Sequence, residues 1–129
     1  MPVTDKNLVI LPYQHSKHGM YFETGVAVSI EPAEIEIMYI LLHEAIENYN
    51  RHLRFKNQHI DLNNYQLQLI AIENESHEKI VWVNCFCSKG HDNRDKEVVM
   101  VKDGGSCYFN LKINLTERTN MILSVNGES

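Results

Sequence analysis

The sequence predicts an α+β domain, in which one long N-terminal helix packs on a curved antiparallel meander sheet of four to five strands. Apolar residues within residues 31–55 repeat at spacings of three and four, which is the period of a helix. After residue 62 the period changes to two, and short polar turns separate the alternating segments. Short connections make neighbouring strands antiparallel, so the second half of the chain is predicted to form a meander.

Before the helix, residues 1–30 are predicted as an irregular or short-strand segment. Within it, residues 14–19, which include His15 and His18, are expected to form a loop, and residues 21–30 are rich enough in β-branched residues for a strand.

The helix is predicted over residues 31–55. Pro32 suits the first helical turn, and Glu31 and Glu34 suit the positive end of the helix dipole. The apolar stripe of this helix consists of Ile35, Met38, Leu42, Ala45, Ile46, Tyr49 and Leu53. Further apolar residues widen it, namely Ile37, Tyr39 and Leu41. We therefore expect the helix to be covered on more than one side.

The antiparallel sheet is predicted within residues 64–126. Its strands are expected at residues 65–72, 79–87, 97–102, 106–116 and 121–125. The sequence Asp103-Gly104-Gly105 predicts a hairpin before the fourth of these strands, because glycine readily adopts a positive φ. A sheet with one apolar face must bury that face, and the long helix is the expected cover.

Length and charge narrow the class of protein. The chain has 129 residues, which favours a single domain spanning residues 1–129. Its net charge of −5 disfavours nucleic acid as a partner, because phosphate binding needs clustered Lys and Arg. The apolar runs are too short and interrupted to span a membrane. An odd count of three cysteines favours a reducing, cytoplasmic location, and secretion stays open if a signal was trimmed.

The order of elements resembles the cystatin-like fold over residues 25–126. The residues that carry the resemblance are Gly25 ahead of the helix and Glu-Asn-Tyr-Asn at residues 47–50. Cystatins inhibit cysteine proteases with two hairpins, one carrying Gln-x-Val-x-Gly and the other Pro-Trp. Here the corresponding turns are Glu-Asn-Glu-Ser-His at residues 73–77 and Glu-Arg-Thr-Asn at residues 117–120. The resemblance therefore implies the fold, and protease inhibition is disfavoured.

Three further stretches, residues 81–87, 103–110 and 124–128, are similar to a group of small uncharacterised bacterial proteins. No established activity is associated with that group, so this resemblance implies no function.

The candidate metal ligands are Cys85, Cys87, His91 and Cys107. They would form a tetrahedral zinc site if the three thiolates met at one strand end and His91 folded back. The Cys-x-Cys spacing departs from the usual Cys-x-x-Cys of zinc knuckles, and strand cysteines often pack as small hydrophobes. Packing is the preferred interpretation of these cysteines, and zinc binding and a redox pair remain open.

The sequence contains few motifs that are typical of catalytic sites. The sequence has neither a Gly-x-Ser-x-Gly elbow nor a glycine loop that opens a helix for phosphate binding. We therefore predict a non-enzymatic binding or protein-interaction module with no catalytic residue and no cofactor. Its partner would be another protein or a second copy of the chain, bound through a sheet edge or face. The alternative is a small-ligand or zinc-dependent enzyme built in the sheet concavity.

Overall fold

A computed structural model describes residues 7–22, 24–53, 59–87, 93–100 and 105–125. The helices are α1 (His15–His18) and α2 (Pro32–Arg51). The strands are β1 (Leu8–Ile10), β2 (Val26–Ala27), β3 (Gln66–Glu73), β4 (Lys79–Phe86), β5 (Tyr108–Asn114) and β6 (Thr119–Val125). Single 3₁₀ turns occur at Gly19–Tyr21, Leu62–Asn64 and Gly105–Cys107.

The six strands form one mostly antiparallel sheet. Its order is β1-β3-β4-β5-β6, and β2 pairs with β3 beyond the end of β1. Only the β1–β3 pair is parallel among the described strands. The α+β class with one long helix is confirmed. The N-terminal position of that helix was wrong, because β1, α1 and β2 precede it, and these elements are too short to show a period in the sequence.

Helix α2 begins at a capping box. Glu31 is the N-cap, its backbone N–H donates to Oε1 of Glu34 at 2.8 Å, and Pro32 follows at the first helical position. Nζ of Lys79, the first residue of β4, lies 2.7 Å from Oε1 of Glu34 and also donates to the carbonyl of Ser29 at 2.8 Å. These contacts fix the start of α2 against the start of β4. Residues 54 and 55 of the predicted helix lie outside the described residues.

One face of the sheet, called here the helix face, packs against α2. Met38 and Leu42 of the helix are fully buried there, as the apolar stripe predicts. The sheet contributes alternating residues of β3, β4 and β5, and these are Leu67, Leu69, Ala71, Val81, Val83, Cys85, Phe109, Leu111 and Ile113. The space between helix and sheet is therefore filled by apolar side chains.

The opposite face of the sheet is covered by the segment between β1 and β2. Leu11 and Phe22 of this segment are buried with Ile70, Ile72, Ile80 and Trp82. The ring of Tyr21 stacks on Trp82, with the centroids 4.0 Å apart. The expectation that the helix is the cover of a single apolar face was thus wrong. Residues 15–18 are helical instead of a loop, and only residues 26–27 of the strand expected at 21–30 form a strand.

The connection from β4 to β5 differs most from the prediction. Residues 97–100 form no strand, and β4 pairs directly with β5, with Trp82 opposite Lys112. Residues 101 and 102 of the expected strand, and 103 and 104 of the expected hairpin, lie outside the described residues. Gly105 has a φ of +58°, the positive value for which glycine is suited.

Candidate interaction surface

Cys87 and Cys107 are joined by a disulfide. Their Cα atoms lie 5.0 Å apart, one position beyond the last β4–β5 pair, Phe86 with Tyr108. The backbone N–H of Cys87 donates to the carbonyl of Cys107 at 2.9 Å, so the disulfide continues the ladder of the two strands. It closes the long connection between β4 and β5 at its base.

Cys85 is a free thiol that is fully buried on the helix face. Burial raises its pKa well above the ordinary value, and metal binding and nucleophilic attack both need the thiolate. Two of the other candidate ligands are held in the disulfide, and His91 lies outside the described residues. Among the residues described, no three His, Cys, Asp or Glu side chains form a group that would hold a metal ion. The zinc site stays a prediction that applies to the reduced chain.

A buried polar network lies on the face opposite α2. Oε1 of Gln68 accepts from Nδ2 of Asn84 at 3.0 Å and from the backbone N–H of Val99 at 2.9 Å. Nε2 of Gln68 donates to the carbonyls of Arg94 and Glu97, both at 2.7 Å. Asn84 also donates to the carbonyl of Val99 at 2.7 Å. The two amides satisfy the backbone of residues 94–99 in place of a further strand, so their role is to hold that segment on the sheet.

His18 is buried in the segment that covers the same face. Its Nδ1 accepts from the backbone N–H of Gln14 at 3.0 Å, which requires the neutral ring. Burial lowers the pKa of His18, and the charge of Lys17 lowers it further, while Glu97 opposes both. Lys17 pairs with Glu97 at 3.1 Å and links this segment to the β4–β5 connection.

An open groove runs between the C-terminal half of α2 and strand β6, and is called here the α2–β6 groove. Its volume is about 630 Å³. The lining residues are Glu44, Ala45, Asn48, Tyr49, His52, Leu53, Leu111, Asn120, Met121 and Leu123. The lining therefore combines apolar side chains of helix and strand with the polar or charged groups of Glu44, Asn48, His52 and Asn120.

Strand β6 forms the outer edge of the sheet on this side, and no other described strand pairs with that edge. Its seven residues include neither a charged residue nor proline. Met121 and Ile122 are 49% and 61% exposed. Proteins usually protect a sheet edge with short strands, lysine or proline. The opposite edge follows this rule, because β1 and β2 have three and two residues, whereas β6 has seven and interrupts its edge only with a bulge at Met121.

A bulge divides β6. Ile122 pairs with Lys112 and Asn120 pairs with Ile113, so Met121 is the extra residue. Beyond the bulge the side chains alternate regularly. Leu123 packs against the core of the helix face, whereas Ile122 shares the opposite face with its cross-strand neighbour. The chain from residue 122 to residue 125 thus presents a regular strand edge next to the groove.

The alternating pattern predicted a strand at residues 121–125, within β6, but did not mark these residues as a site. The available signal was composition. Of the described strands with seven or more residues, β6 alone has no charged residue, since the others contain Glu73, Lys79 and Lys112.

No family model, curated protein or solved structure matches the chain. No helix in the described ranges has the length and apolar character needed to cross a membrane.

Proposed function

We propose that the chain is a non-enzymatic protein-interaction module that binds an extended segment of its partner at the outer edge of β6. The observation that carries the proposal is the uncharged, exposed strand beside the α2–β6 groove. An added strand would hydrogen-bond to the backbone of β6, and its alternate side chains would enter the groove. Each such hydrogen bond contributes roughly 0.5–1.5 kcal/mol net.

The filled core supports binding at this edge over chemistry inside the sheet concavity. Met38 and Leu42 occupy the space between α2 and the sheet, and Phe22 and Trp82 occupy the other face. One helix across an antiparallel sheet supports a cystatin-like arrangement, which stays a prediction.

The chemistry of the edge indicates what kind of segment would bind. Because β6 carries no charge, selection would rest on backbone pairing and on apolar side chains that match Met121 and Leu123. Burying one large apolar side chain contributes roughly 1.5–3 kcal/mol. Glu44 at the groove would disfavour an acidic residue at that point of the partner.

The test compares two variants that introduce the same charge at equally exposed sites. Ile122 on β6 is 61% exposed and Ile40 on α2 is 60% exposed. In extract of the native host, the wild-type chain should elute from a sizing column ahead of its 15.0 kDa monomer. Ile122→Lys should shift it to the monomer position, and Ile40→Lys should not. Equal elution of all three chains would refute the proposal.

A further inference from the structure

We infer that the segment bound by β6 is β6 of a second copy, paired antiparallel and centred on Leu123. This inference rests on the proposed function and names the partner of the same edge. Pairing one strand with its own copy about a two-fold axis is the simplest closed association for a sheet edge, because one surface then satisfies both molecules.

The side chains from the bulge residue Met121 to Val125 suit this register. With Leu123 opposite its own copy, Met121 lies opposite Val125 of the second copy, and Ile122 lies opposite Ser124 of the second copy. Directly opposed residues of an antiparallel pair share a face. On the helix face Leu123 therefore meets its own copy and Met121 meets Val125, with Leu123 and Val125 already packed against that core. On the opposite face Ile122 meets the small side chain of Ser124.

The uncharged edge of β6 lets a second copy approach without placing like charges opposite one another. The chain carries a net charge of −5, so two copies repel one another at long range. Pairing through β6 places no carboxylate opposite another within the strand, because residues 119–125 are all uncharged. The opposite edge consists of strands of three and two residues, which are too short for a comparable ladder of backbone hydrogen bonds.

The groove would be completed by the same pairing. Its lining continues along β6, where Tyr49 of α2 lies with Leu123, Ser124 and Val125. In the symmetric pair the two helix faces lie on one side of a continuous sheet. Val125 of the second copy would then stand beside Met121 at the mouth of the groove and shield its apolar wall from water.

The experiment compares two variants of opposite charge. Sedimentation equilibrium of the purified full chain over a concentration series measures how strongly each one dimerises. One variant carries Ile122→Lys and Ser124→Lys, and the other carries Ile122→Glu and Ser124→Glu. Each should dimerise roughly 10- to 100-fold more weakly than the wild type, since the register opposes like charges twice. A 1:1 mixture should recover a dimer, because opposite charges then meet. Ile40→Lys should dimerise as the wild type does.

Amide hydrogen exchange of the wild type gives a measurement that needs no variant. Protection of residues 121–125 should rise with protein concentration, while that of β3 and β4 stays constant. A wild-type chain that is monomeric throughout, or a mixture that recovers nothing, would overturn the inference. If the purified chain is monomeric but Ile122→Lys still removes a larger complex in extract, the proposed function stands and the second copy is refuted.

Discussion

The side-chain amide of Asn84 donates to that of Gln68 at 3.0 Å across β3 and β4, and both residues are buried on the face opposite α2. Through this pair the sheet holds residues 94–99 by their backbone groups instead of by a strand. Oε1 and Nε2 of Gln68 and Nδ2 of Asn84 each have two partners within the chain, which is why we assign the pair to stability.

Asn84→Ala should lower the free energy of unfolding by about 2 kcal/mol, because the carbonyl of Val99 would lose its donor in a buried place. Asn110→Ala is the matched control, since Asn110 lies opposite Asn84 on the next strand and outside the network. Asn110→Ala should lower the free energy of unfolding by less than half as much as Asn84→Ala does. Urea denaturation of the two variants measures the difference, and equal losses would contradict the role given to the network.

Reduction of the disulfide between Cys87 and Cys107 should lower the free energy of unfolding by about 3 kcal/mol, because the bond closes a loop with a sequence separation of 20. Urea denaturation with and without reductant measures this loss. A Cys87→Ser, Cys107→Ser variant should equal the reduced wild type and be insensitive to reductant. An unchanged midpoint on reduction would show that the bond does not constrain the chain.

The stability of the fold should decline as the pH falls below the ordinary histidine pKa of 6.5, in part because of His18. Its pKa is lowered in the folded state, so the unfolded chain takes up the proton first and is favoured by acid. The share of the decline that His18 causes should continue until the pH passes its folded pKa and should then cease. His18→Gln should have a flatter profile than the wild type between pH 7 and pH 5.

The control for this profile is His43→Gln, on the exposed surface of α2. It should retain the full wild-type dependence on pH. If it flattens the profile as much as His18→Gln does, the effect does not arise from the buried ring.

The ion pair of Glu34 and Lys79 should contribute about 0.5–1 kcal/mol, because their side chains are only 26% and 20% exposed. Burial raises the pKa of Glu34, but the hydrogen bonds from Lys79 and from the N–H of Glu31, with the charge of Lys79, lower it overall. The ion pair therefore stabilises the fold at neutral pH, and this stabilisation is lost as the pH falls through the lowered pKa of Glu34.

A double-mutant cycle with Glu34→Gln and Lys79→Gln isolates this coupling, and glutamine at residue 34 keeps the capping hydrogen bond within reach. The coupling energy should vanish at a pH below the pKa of Glu34. A coupling that is the same at acidic and neutral pH would contradict an ionic origin.

The helix and strands whose apolar residues repeat over several turns or positions could be predicted from the sequence. The repeat from Ile35 to Tyr49 placed α2, and the alternation of Val81, Val83 and Cys85 placed one face of β4, since both patterns extend over several residues. Composition could not predict that Gln68 and Asn84 replace a strand, because their partners are backbone groups of residues 94–99, about 15 to 30 positions away.

For the candidate site, too, the faces of single strands could be predicted, but the pairing between strands could not. Alternation predicted that Cys85 and Cys87 share one face of their strand, and whether Cys107 would meet them was left open. Cys85 and Cys87 both lie on the helix face, but the register that opposes Cys87 to Cys107 depends on how β4 pairs with β5. Spacing within one strand cannot supply that register. The exposure of Ile122 depends likewise on the order of strands in the sheet, which places β6 at an edge.

Photo-crosslinking in native extract tests the central claim, that β6 is an interaction edge, most directly. A photoreactive amino acid replaces either Ser124, exposed on β6, or Glu75, exposed in the turn between β3 and β4. Irradiation should give a defined adduct from position 124 and none from position 75, and an adduct of twice the chain mass would identify the second copy. Absence of any adduct from position 124, or equal adducts from both positions, would contradict the claim.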